Sequence, residues 1–130
     1  MKISLLVLGS PLAGAGADSA WRYADAAARK GHELISVFFY QDGVYNGNEY
    51  CAPAQDEVPR VERWAELAQS SNAELILCVA SAARRGILDE AEARRFSKNA
   101  GNMHPAFTLA GLGQLVDAAA HCDRLLTFGS

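Results

Sequence analysis

No stretch of this chain approaches the roughly 20 consecutive apolar positions that a membrane-spanning helix requires. The apolar segment from Ile3 to Leu8 counts six residues before Gly9-Ser10-Pro11 interrupts it. Cysteine is scarce: Cys51, Cys78 and Cys122 are odd in number and widely spaced. That excludes a small disulfide scaffold and a Cys-x-x-Cys metal site, and it suits free thiols in a reducing compartment. A basic excess is also missing, because 12 Lys and Arg face 15 Asp and Glu, for a formal charge of −3. The surface therefore has no field for holding phosphate backbones, and direct nucleic-acid binding is not expected. With only 4 prolines and 11 scattered glycines, collagen and low-complexity disorder are excluded as well.

What remains is a globular chain of 130 residues, half of them hydrophobic, with mean hydropathy −0.02. A chain of this size buries roughly two thirds of its unfolded surface, enough for one core. No repeat or linker divides it, so residues 1–130 read as a single domain. Lys2, the apolar segment and Ala15-Gly16-Ala17 imitate a secretory signal. The segment is shorter than the usual apolar region of about 7–15 residues, and its loss would remove the first strand, so a cytoplasmic location is expected.

Apolar runs bounded by turn residues place buried strands at Ile3 to Leu8, Leu34 to Tyr40, Leu75 to Ala80, Phe107 to Leu109 and Arg124 to Phe128. Between them, Asp18 or Ser19 is expected to cap a first helix that carries Trp21, Ala24 and Ala28 on one stripe and stops at Gly31. Val61, Trp64, Ala65 and Ala68 line a second helix, Asp89 to Phe96 form a short one, and Leu112, Leu115, Val116 and Ala119 share one face of the last. Ser81 to Gly86 reads as a turn or the start of a helix. Gln41 to Pro59 holds two Gly, two Pro and two Asn without a period, and reads as a long loop of the kind that serves as a lid or contact surface. The alternation of strands and helices predicts an α/β three-layer sandwich on a parallel sheet with right-handed crossovers.

Most candidate chemistry is weak. Gly14-Ala15-Gly16-Ala17-Asp18-Ser19 lies between strand and helix, as a dinucleotide fingerprint should, but Ser19 replaces the third glycine and no acidic residue ends the second strand. No Gly-Lys-Ser/Thr follows, and a plain turn fits better than nucleotide or flavin binding. His32, His104 and His121 have no metal-ligand spacing. Ser10 and Ser81 sit at strand ends without a Gly-x-Ser-x-Gly elbow. No cofactor and no metal are expected.

Cys78 differs, because it lies close to the carboxyl end of the third strand, the edge where open parallel sheets form their binding crevices. It shares a strand face with Ile76. If the following residues begin a helical turn, their free N–H groups and the guanidinium groups of Arg84 and Arg85 favour a thiolate. A small buried hydrophobe finishing a strand fits the position equally well. Cys51, in the long loop, has no base or positive partner nearby in sequence and reads as incidental, whereas Cys122, directly before the last strand and away from the cleft edge, reads as structural.

The residues together resemble the DsrE/TusD family of sulfur-relay proteins over nearly the whole chain. The resemblance rests on Gly31-His32-Glu33, Val37-Phe38-Phe39-Tyr40 with Asp42-Gly43-Val44, Pro53-Ala54-Gln55-Asp56-Glu57, Cys78-Val79-Ala80 leading to Arg84-Arg85-Gly86, Asp89-Glu90, and Gly111-Leu112-Gly113 before Cys122-Asp123-Arg124. It implies a sheet in the order 4-3-2-1-5, with sulfur carried as a persulfide on Cys78 and the long loop lying near it as a shield. Arg84 and Arg85 are candidates for electrostatic support.

The resemblance also implies a heterohexamer with two related smaller subunits, TusB- and TusC-like or DsrH- and DsrF-like. The expected donor and acceptor are small carrier proteins, TusA-like, TusE-like or DsrC-like. In the Tus branch sulfur moves towards 2-thiolation of the tRNA wobble uridine, and in the Dsr branch the same chemistry serves oxidation of stored sulfur. A flavodoxin-like nucleotide-binding module and a non-catalytic scaffold subunit are the competing readings.

Overall fold

The computed structural model describes residues 1–130. Five parallel strands, β1 (Lys2–Val7), β2 (Glu33–Phe39), β3 (Glu74–Cys78), β4 (Phe107–Ala110) and β5 (Arg124–Phe128), form one sheet in the order β4-β3-β2-β1-β5. Strand identity and order are as expected. The apolar character of the central strands follows from burial on both faces. Two buried hydroxyls within them satisfy each other: Ser4 on β1 is the ladder partner of Ser36 on β2, with the two Oγ atoms 3.2 Å apart.

The two faces are unequal. One carries a cluster of 19 buried residues, including Leu5, Val7, Val37, Phe39, Leu75, Leu77 and Phe107, packed under α1 (Gly16–Arg29) and α2 (Arg60–Ser71). Trp64 of α2 meets Phe39 edge-on at 5.2 Å between ring centroids. On the other face, beside the Ser4–Ser36 pair, the buried hydrophobic residues are only Phe38, Ile76 and Cys78, with Leu6, Tyr40, Ala110 and Leu115 packed around them. Its cover is α5 (Leu112–His121).

Several expectations give way. α1 starts at Gly16, ahead of Asp18, and buries Ala17, Ala20, Ala24 and Ala27. The stripe is made of alanines because small side chains let the helix lie close to the sheet, and Trp21 sits at its margin, donating its indole N–H to the Arg63 carbonyl at 3.1 Å. The helix does end at Gly31, whose φ of 86° is natural for glycine. The N–H groups of His32 and Gly31 return to the carbonyls of Ala27 and Ala28 there, closing the helix.

The segment read as an unstructured loop begins instead with a 3-10 helix over Gln41–Gly47. Gly43 and Gly47 belong to it because a Cβ at 43 would lie 2.1 Å from the Val7 carbonyl oxygen, and one at 47 would lie 2.6 Å from a methyl of Leu77. Asn46, fully buried, holds it down by donating to the carbonyls of Gly9 and Gly43 and accepting from Trp64. The stretch after Cys78 is α3 (Val79–Arg84), and α4 (Glu90–Arg95) follows with its first turn capped by Asp89. The expected core stripe of α5 also fails: Leu112, Val116 and Ala119 face solvent, Val116 being 69% exposed, and Leu115 is the residue that meets the sheet.

Candidate active site around Cys78

β3 ends at Cys78, and the same residue precedes the first turn of α3, so the chain reverses character at the thiol. Strand alternation puts Cys78 on the thinly covered face with Ile76, as expected. The residue is 3% exposed, packed with Phe38 and Ile76, and it borders a cavity. A cavity of about 320 Å³ opens beside it, lined by Tyr40, Cys78, Val79, Ser81, Arg84 and the start of α5 at Gly111 and Leu112. Each wall has a structural cause. Tyr40 follows β2, the ladder neighbour of β3, and Gly111 follows Ala110, which pairs directly with Cys78.

A second cavity of about 420 Å³ lies alongside, lined by Leu8, Gln41, Asp42, Arg85, Gly129 and Ser130 among others. Tyr40, Ser81 and Arg84 line both cavities and separate them. The two arginines are not equivalent. Arg84 is exposed and borders the thiol's cavity, and its guanidinium makes no hydrogen bond or ion pair with the rest of the chain. Arg85 turns the other way and is held by Asp42, with Nε to Oδ1 at 2.8 Å.

The profile of the DsrE/DsrF-like family matches residues 1–128. The chain belongs to this family. It is 50% identical over 129 residues to the DsrE protein of Allochromatium vinosum, covering 99% of each chain, and 45% identical to the sulfurtransferase TusD of Enterobacter sp. strain 638, covering 98% and 100%. The crystal structure of YchN from E. coli shares the fold, with TM-score 0.74 at 20% identity over 98% of this chain and 99% of that one. Sulfurtransferase function is thus supported at the level of the family.

In this DsrE-like chain the other candidate residues stand apart. The expected shield is only partly near Cys78: the start of the 3-10 segment lies against α3, whereas Cys51 belongs to a separate cavity of about 130 Å³ with Pro11, Leu12 and Val58. Cys122 ends α5, and all three thiols are free. His32, His104 and His121 are spread over the fold, and no group of three or more His, Cys, Asp or Glu gathers as a metal site. The glycine-rich turn after β1 has a packing role. A Cβ on Gly16 would lie 1.5 Å from the Gly129 carbonyl oxygen, so this glycine makes room for the backbone that leaves β5.

Sequence reasoning missed Tyr40, Gly111 and Leu112 as cavity walls. The signal for Tyr40 was its alternation with Phe38. Gly111 and Leu112 needed the β3–β4 register.

Proposed function

We propose that this protein is a sulfurtransferase that carries sulfur as a persulfide on Cys78. The observation that supports it most is a thiol at the carboxyl end of a central parallel strand, facing a cavity bordered by an unpaired arginine. Cys78 Sγ attacks the terminal sulfur of a donor protein's persulfide. A new S–S bond forms to Cys78, the donor's S–S bond breaks, and the donor departs as a thiol carrying the proton that Cys78 gave up. Delivery to an acceptor cysteine repeats the exchange, with no net oxidation, reduction or cofactor. Arg84 supports the anionic sulfur.

The onward route is the TusD-like one, towards 2-thiolation of the tRNA wobble uridine, with the downstream enzyme meeting the tRNA. The 50% identity to DsrE, against 45% to TusD, favours a second reading, sulfur delivery during oxidation of stored sulfur. Either route uses small carrier proteins as donor and acceptor and a heterohexamer with two related smaller subunits in the cytoplasm. Exposed Leu112, Val116 and Ala119 on α5 are the kind of apolar surface that such an assembly covers.

Sulfur transfer to an acceptor carrier tests the reading. Cys78→Ser abolishes transfer and leaves the fold intact, whereas Cys51→Ser and Cys122→Ser are tolerated; transfer retained by Cys78→Ser refutes the assignment. Arg84→Gln slows transfer by about two- to fivefold, the scale of one partly solvated charge contact, and the difference shrinks in salt.

A further inference from the structure

Arg85 does not line the cavity that holds Cys78. Its Nε donates to Asp42 Oδ1 at 2.8 Å, and its Nη1 donates to the Ser81 carbonyl at 3.2 Å. Ser81 Oγ in turn accepts the backbone N–H of Gln41 at 3.2 Å. These contacts close a ring in which Gln41-Asp42, at the start of the 3-10 segment, is fastened to Ser81 and Arg85 of the α3 turn. Gln41 stands at φ 52°, in the left-handed region that a residue with a side chain avoids unless its surroundings hold it there.

The members of the ring flank the partition between the two cavities. Tyr40 immediately precedes Gln41, Arg84 immediately precedes Arg85, and Ser81 belongs to both sets. Shifting the segment away from α3 would join the cavity of about 320 Å³ at Cys78 to its neighbour of about 420 Å³. We propose that Arg85 is a positioning residue: through Asp42 and Ser81 it pins this partition and so limits the size of the group that reaches Cys78. Its functional meaning rests on Cys78 as the sulfur carrier. A narrow segment bearing a persulfide or thiol is admitted, while bulky thiol reactants are held off. The pair is only partly shielded, Arg85 being 22% and Asp42 62% exposed at the side chain, so its hold weakens in salt.

The test uses the full chain with Cys51→Ser and Cys122→Ser, leaving Cys78 as the single thiol. Its labelling rate is measured with iodoacetamide, which is small, and with a pyrene maleimide, which is bulky. Arg85→Ala and Asp42→Asn each raise the bulky reagent's rate about fivefold while keeping the small reagent's rate within about twofold, the scale of a partly exposed ion pair. Arg85→Lys, which keeps one cationic donor, falls between parent and Arg85→Ala. In the parent, salt at about 1 M, where the Debye length is about 3 Å, moves the size preference in the direction of the variants. Equal acceleration of both reagents, or no gain for the bulky one, overturns the proposal. Asp42→Asn keeps the test decisive if Arg85→Ala does not fold, because Asp42 is largely solvated. Sulfur uptake from a persulfide donor, measured on the same proteins, separates the two claims. A shift in size preference without uptake sinks the carrier role and leaves the positioning role, and uptake without the shift does the reverse.

Discussion

Cys78 and Ala110 are direct ladder partners across β3 and β4, so the thiol's strand ends level with the residue before Gly111, where α5 begins. The cavity at Cys78 therefore has one wall without a side chain. A Cβ added at Gly111 meets no atom within 4 Å, and its backbone φ of −82° suits any residue.

Gly111 is consequently a place where the cavity can be filled without disturbing the fold. Gly111→Ala is expected to leave the thermal midpoint and the alkylation of Cys78 close to those of the parent. Gly111→Phe is expected to keep the midpoint but slow alkylation by about tenfold, a rise of about 1.36 kcal/mol in the barrier, because the ring occupies the approach to the thiol. Unchanged alkylation in Gly111→Phe would show that reagents reach the thiol by another path.

The strands were legible because a parallel strand buried on both faces is written as an apolar run, and Leu5, Val37 and Leu77 all belong to such runs. Helix faces were less legible. Periodicity identifies an apolar stripe but not its cover, so Leu112, Val116 and Ala119 read as core although they face solvent. In α1 a stripe drawn through the bulk of Trp21 includes Ala24 but not Ala17, Ala20 and Ala27, which are small enough to pack on the sheet. The 3-10 segment has no apolar period because Gly43, Asn46 and Gly47 are buried for close approach and hydrogen bonding. Cys78 could be placed at a strand end from sequence, while its partners Tyr40 and Gly111 come from neighbouring strands and depend on register.

Asn46 tests that account of the 3-10 segment. Its amide is fully buried, and its oxygen accepts the Trp64 indole N–H at 3.2 Å. Asn46→Leu leaves that indole donor without its partner and removes the bonds to the Gly9 and Gly43 carbonyls, and is expected to lower stability by about 1–3 kcal/mol in urea denaturation. A variant as stable as the parent would mean that these contacts contribute little.

Asp18 gives a pH dependence. Its hydrogen bond from Arg63, opposed by desolvation and assisted by the charges of Arg63, Arg22 and Arg60, holds its carboxyl below the ordinary value of 3.8. Because the folded value is the lower one, the contribution to stability is complete above 3.8 and is lost as pH falls from there through the folded value. Asp18→Asn is expected to be less stable than the parent at neutral pH, with the gap closing below that window. Thermal midpoints of both proteins across the acid range check this, and a gap independent of pH contradicts it.

Peptide mass spectrometry after incubation with a protein persulfide donor addresses the sulfur-carrying role most directly. The expected result is a gain of one sulfur atom on the peptide containing Cys78, removable by a reducing thiol and missing from Cys78→Ser. Sulfur found on Cys51 or Cys122 instead, or no adduct on a folded protein whose Cys78 still alkylates, would contradict the assignment.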